Sequence, residues 1–256
     1  MTDLVRLRGA SAEVRHDGGR DFVAVEEPLE IRVDGRSLAV TMRTPGHDEE
    51  LALGFLYGEA LIDSVRAAGP PADLAGGVVE IAGPLLRDPG ERRFYTTSSC
   101  GICGKGAIEE VAVAAPVAVA GPRVDRALLA ALPDRLRAEQ PGFARTGGMH
   151  AAGLFDADGS LVAVREDVGR HNALDKLVGW SLREGSLPWH SRIVCVSGRV
   201  SFELVQKAAR AQGPIIVGVS APTSLAVSLA ADRGITLCGF ARGDRVNVYT
   251  APERVS

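Results

Sequence analysis

The chain has 256 residues, 46% of them hydrophobic, and a formal net charge of -3. That length suits one large domain or two modest ones with real cores. The charge argues against a large, sequence-independent binder of phosphate backbones, although local basic patches stay open.

The opening stretch, MTDLVRLRGASAEVRHDGGRD, is polar and charged and lacks the apolar segment of a signal peptide, so the expected location is cytoplasmic. In that compartment four cysteines point to a functional CxxC pair in preference to a disulfide framework. Alternation in Phe22–Val25 and Leu29–Val40, the latter broken by Asp34-Gly35, predicts antiparallel strands with a tight hairpin turn. A helix follows, with Asp48 as its expected N-cap, Glu49 and Glu50 in its first turn, and Leu51, Leu53, Phe55, Leu56, Ala60 and Leu61 as its apolar face. Glycine- and proline-rich loops around residues 69–77 and 83–90 enclose a short strand at 78–82. The run from Val111 to Pro122 is too short to cross a bilayer and is interrupted by Pro116; it reads as buried strand or loop. Periodicity predicts a further helix from Asp125 to about Glu139, despite Pro133.

From Gly147 onward the pattern is more regular. A hairpin turns at Asp158-Gly159, and helix 171–180, strand 192–196, helix 201–212, strand 214–219, helix 223–233 and two final strands follow. The expected fold class is therefore α/β: a strand-rich portion over residues 1–145 carrying a hairpin, a helix and the CxxC loop, then an α/β domain over 146–256 with a largely parallel sheet.

The stretch TSSCGICGKG places Cys100 and Cys103 among serines and glycines. As zinc ligands they form half a site, because tetrahedral zinc typically takes four ligands and no second pair stands at suitable spacing. A nucleobase deaminase would combine an H-x-E element with P-C-x-x-C; His47-Asp48-Glu49 matches the first, but Ser99 stands where the proline should be. No metal is expected. A thioredoxin-like CxxC opens a helix after a strand, whereas hairpins and glycine loops precede this one. Lys105 and a helix start near Gly106 would favour a thiolate, and the small residues predict an exposed loop whose thiol can visit two partners. Cys195 and Cys238, inside RIVCVS and ITLCGF, read as small buried hydrophobes.

A second constellation, REDVGRHNALDKLVGW, crowds Asp167, Arg170, His171, Asn172, Asp175 and Lys176 around Gly169 at a strand-to-helix junction. Simple capping and tying of the helix explains Asp175 and Lys176 better than Arg170, His171 and Asn172. Similar small-polar junctions recur at Ser197-Gly198-Arg199 with Ser201, and at Ser220, Pro222, Thr223 and Ser224. Ordinary capping accounts for any one of them. Three together along the carboxyl edge of an α/β sheet, with Arg170 and Arg199, suit a nucleotide-like ligand, although none is a P-loop or GxGxxG motif.

Taken in order, TPGHDEELALGFLYGEALI, SSCGICGK, GGMHAAGLF, REDVGRHNALDKLVG, SGRVSFELVQKAA and VSAPTSLAVSLA closely resemble the formate dehydrogenase accessory sulfurtransferase family. The likeness covers about residues 20–250. It implies a cytidine-deaminase-like fold for the C-terminal part, without deamination. It also implies a sulfur carrier loaded as a persulfide by a cysteine desulfurase, with Cys100 as the active cysteine and Cys103 as its assisting thiol. The implied sulfur acceptor is the molybdenum bis(molybdopterin guanine dinucleotide) cofactor, bound as substrate before its insertion into formate dehydrogenase. The family's cofactor-binding segment maps onto Phe240, Ala241, Arg242, Gly243, Asp244 and Arg245, where arginines suit phosphate and the glycine suits close backbone approach. A homodimer is plausible by resemblance alone, and neither nucleic acid nor membrane is expected as a partner. A different class of protein also fits the residues: a chaperone that holds the cofactor in its α/β pocket without moving sulfur.

Overall fold

The computed structural model describes residues 4–71, 76–88, 94–96, 116–117 and 121–256, with the backbone alone for 4–8 and 94–96. Three antiparallel strands open the chain: β1 (Leu4–Arg8), β2 (Ser11–His16) and β3 (Gly19–Ala24). Of these, sequence alternation had marked only the last. Next comes the hairpin of β4 (Glu27–Val33) and β5 (Arg36–Arg43). Its turn residues Asp34 and Gly35 both have positive φ, 46° and 78°, as a tight turn matched to strand twist requires. With β6 (Ala68–Gly69), β7 (Val78–Ile81) and β8 (Phe94–Thr96) this hairpin builds a five-stranded mixed sheet in the order β6-β7-β4-β5-β8.

Helix α1 (Asp48–Gly58) starts one residue earlier than its expected cap implied. His47, at φ 59°, is the N-cap and has no side-chain cap bond, while Asp48 is the first helical residue. The Asp48 carboxylate instead receives two 2.9 Å hydrogen bonds from Arg43. Arg43 is only 3% exposed, and a guanidinium at that depth needs a facing carboxylate more than the helix needs a cap.

The second, six-stranded sheet contains β9 (His150–Asp156), β10 (Leu161–Asp167), β11 (Arg192–Val196), β12 (Ile215–Gly218), β13 (Thr236–Arg242) and β14 (Arg245–Val248) in the order β10-β9-β11-β12-β13-β14. It is not largely parallel. Only β11, β12 and β13 run parallel, and the flanking pairs are antiparallel. Hairpins account for the two outermost pairs, since a short turn joins antiparallel neighbours.

Helices α4 (Arg170–Arg183), α5 (Phe202–Arg210) and α6 (Ser224–Asp232) share one hydrophobic cluster with Leu154, Val194, Val196, Ile216 and Leu237. Helix α2 (Arg126–Ala138) shares another with Phe155, Ile193, Cys195, Ile215, Val217 and Cys238. Alternate residues of each central strand thus enter opposite clusters, and strands buried on both faces are apolar throughout. This is why Cys195 and Cys238 are buried free thiols; burial pushes the Cys195 thiol far up and the Cys238 thiol to about 12. Short α3 (Pro141–Thr146) follows α2 and contacts β3.

The two sheets are joined by α1 against α4. A Cβ added to Gly54 would run into the Asp175 carbonyl oxygen, and one added to Gly179 into the Glu50 carbonyl oxygen. Leu29, Ile31 and Val79 of the first sheet therefore belong to the same core as the helices over the second. Among the described residues no helix is long and apolar enough to cross a membrane.

Candidate functional site

Polar residues around the start of α4 divide into two sets. The first closes the seam. Lys176 Nζ lies 2.7 Å from Asp167 Oδ2 and donates to the Thr44 carbonyl at 2.9 Å. Asp167 also accepts from the Thr44, Gly169 and Asn172 nitrogens at 2.8–3.1 Å, while Asn172 donates to the Met42 carbonyl at 2.7 Å. These residues tie β10 and α4 to the end of β5. Asn172 thus belongs to the structural ties, together with Lys176. Asp175 faces Lys207 at 2.7 Å, both buried. Burial disfavours the Lys207 ammonium, yet Asp175 and Glu59 hold its pKa above the ordinary value.

The second set lies along the edge where β11, β12 and β13 end. Because β9 runs antiparallel to β11, its first residue reaches the same edge: His150 Nδ1 is 3.4 Å from Ser197 Oγ, and the Ala151 amide donates to that hydroxyl at 2.9 Å. Burial, then Arg170 and His171, push the His150 imidazole below its ordinary pKa against the pull of Asp167. His171 Nε2 sits 3.0 Å from Ser201 Oγ and 3.6 Å from Glu203 Oε2. That hydrogen-bonding neighbour outweighs burial and holds the Glu203 carboxyl at about 2. Ser201, although N-cap of α5, makes no side-chain cap bond, whereas Thr223 caps α6 by accepting from the Ala226 amide at 3.3 Å. The third junction is therefore ordinary capping, and the first two carry the polar cluster. Arg170 Nε is buried with no hydrogen-bond partner among the described residues.

Beside this edge opens a cavity of about 530 Å³. Ser197, Val219, Ala241 and Arg242 form its sheet wall, and Arg137, Gln140 and Phe143 contribute from the helical side. Phe240, at the register shift that ends regular pairing of β13 with β14, has φ 52° and is half exposed. A bulky residue in that region marks local strain. Gly243, φ 62°, and Asp244 make the hairpin turn, and the Arg245 side chain is exposed with Asp244 4.0 Å away. Ser197, Ala241 and Arg242 thus meet at the cavity, Arg170 and His171 cluster by His150, Arg199 is exposed, and Gly243, Asp244 and Arg245 occupy the hairpin tip. Cys100 and Cys103 lie outside the described residues. Sequence reasoning did not single out His150, Gln140 or Phe143. His150 carried a signal in the glycine pair of GGMH just before a strand, but nothing local marks the other two.

A family model described as the FdhD/NarQ family matches residues 24–256. The chain is 50% identical over 269 residues to the sulfur carrier protein FdhD of Streptomyces coelicolor, covering 99% of this chain and 94% of that one. It is 47% identical to the protein of the same name from Mycobacterium tuberculosis, over 92% of both chains. A crystal structure of a candidate formate dehydrogenase accessory protein from Desulfotalea psychrophila superposes with a TM-score of 0.71 at 28% identity, covering 96% of this chain and 97% of the other.

Proposed function

We propose that this chain, which belongs to the FdhD/NarQ family, is a cytoplasmic sulfur carrier that serves formate dehydrogenase. The observation that carries this reading is the near-full-length likeness to proteins named as sulfur carriers. In the loading step a Cys100 thiolate attacks the terminal sulfur of a desulfurase persulfide. The donor cysteine leaves as a thiolate, and Cys100 becomes the persulfide. Cys103 assists as the second thiol. The S–S bond of that persulfide then breaks, its terminal sulfur passing as a neutral sulfur atom to the molybdenum bis(molybdopterin guanine dinucleotide) cofactor, bound as substrate, while Cys100 leaves as a thiolate.

Residues Phe240–Arg245, with Ser197, Arg199, Arg170 and His171, are proposed to hold that cofactor. Support comes from the cavity that Ser197, Ala241 and Arg242 share, and from the Arg170 guanidinium near His150 on its lining. Guanidinium groups suit pyrophosphate. The cytidine-deaminase-like description of the C-terminal part is supported by its element order and implies no deamination.

The test is complementation of a strain lacking its own carrier, with intact mass followed after exposure to desulfurase and cysteine. Cys100→Ala should keep the fold and nucleotide binding, gain no sulfur and fail to activate formate dehydrogenase; Cys103→Ala should show an equal or milder defect. Full activity from the doubly substituted protein would overturn sulfur transfer. That outcome would favour a cofactor-binding chaperone.

A further inference from the structure

Gln140 joins α2 to α3, and its backbone is used in doing so: its amide donates to the Arg137 carbonyl at 3.4 Å and its carbonyl accepts from the Ala144 amide at 2.9 Å. Its side chain makes no cap bond to α3. The residue is only 3% exposed, it lines the cavity of about 530 Å³, and its Nε2 has no hydrogen-bond partner among the described residues. A helix junction of this kind needs no amide side chain. An apolar one of similar shape would avoid the cost of a buried, unsatisfied donor.

On the same wall the Arg137 guanidinium lies 3.5 Å from the centroid of the Phe143 ring. It forms a flat cationic plate on which a heterocycle can stack. Across the cavity, Arg242 and Ser197 supply the polar groups of the sheet edge. We infer that Gln140 is a specificity-determining residue that reads the base of the bound nucleotide by donating from Nε2 to a ring carbonyl. This inference rests on the proposed binding of guanine nucleotides by the same site. A guanine presents O6 as an acceptor where an adenine presents an amino group, so Nε2, without a partner among the described residues, can donate to the first and opposes the second.

The experiment is calorimetry of the full chain with GDP and with ADP, for wild type, Gln140→Met and Gln140→Glu, alongside thermal melts without nucleotide. Wild type should prefer GDP. Gln140→Met should lose about tenfold in GDP affinity, the worth of one hydrogen bond from a buried donor, and hold or gain affinity for ADP. Its melting temperature should hold or rise by about 2–4 °C, because a buried unpaired donor has gone. Gln140→Glu, an acceptor only, should move the GDP-to-ADP preference toward ADP. An unchanged preference in both variants, with wild-type GDP binding intact, would overturn the role of Gln140 and leave the nucleotide site standing. A melting temperature several degrees lower in Gln140→Met would assign the residue to structure and overturn the inference as well. Failure of wild type to bind GDP would remove the underlying reading and the inference together.

Discussion

Along the seam between the two sheets, opposite charges face each other at short range: Lys176 with Asp167 and Lys207 with Asp175, each at 2.7 Å, and Arg165 with Glu50 at 2.5 and 2.9 Å. At the edge of the six-stranded sheet, by contrast, Arg170 Nε and Gln140 Nε2 are buried with no partner among the described residues, and Phe240 carries a strained backbone. Both regions draw on the same charged run at the start of α4. In the seam, charge is committed to holding two layers together. At the sheet edge the same run leaves the Arg170 Nε without a partner among the described residues, which suits the binding role proposed above.

Lys176→Met tests the closed side of that contrast most severely. It strands the Asp167 carboxylate at 0% exposure and should destabilise the fold by about 3–5 kcal/mol. Urea unfolding measures it, and a loss below about 1 kcal/mol, the worth of a surface pair, would mean the seam is not held by this pair. Gly179→Ala places a methyl group against the Glu50 backbone and should cost about 1–3 kcal/mol by forcing α1 and α4 apart. A lower melting temperature with unchanged nucleotide affinity would separate seam from site.

Acid sharpens the same contrast. Burial raises the Glu50 pKa, but Arg165 and His47 more than reverse this and bring it from 4.5 to about 2. A depressed carboxylate contributes stability that is complete above its unfolded value and lost as pH falls through the folded one. The stability gap between wild type and Glu50→Gln should therefore be widest above pH 4.5 and close toward pH 2; denaturant titrations at neutral and acid pH read it directly. The smallest effect on the fold should come from the edge. Arg242→Ala, which removes a cavity-lining charge, should weaken GDP binding by about tenfold or more. Arg245→Ala, at the exposed hairpin tip, should weaken it less, and neither should lower the melting temperature. Equal losses would extend the binding surface over the hairpin tip.

Local rules made much of this molecule legible in the sequence. Asp34-Gly35 and Asp158-Gly159 demand tight turns, continuous apolar runs mark the buried central strands with Cys195 and Cys238, and the helices alternating between them carry one apolar face each. The ordered motifs also identified the family, which the full-length comparisons bear out. Strand direction was not legible, because an apolar strand does not state which neighbour it will pair with, and the sheet proved mixed. Asp48 was misplaced as a cap because its partner, Arg43, is buried only once the first sheet has folded. The helix contact at Gly54 and Gly179, the shared edge of His150 and Ser197, and the cavity that Gln140 lines with Arg242 each join segments that are remote in sequence. Composition and period describe how a segment meets its own neighbours along the chain, whereas these contacts exist only after packing has brought separate segments within a few ångströms of one another.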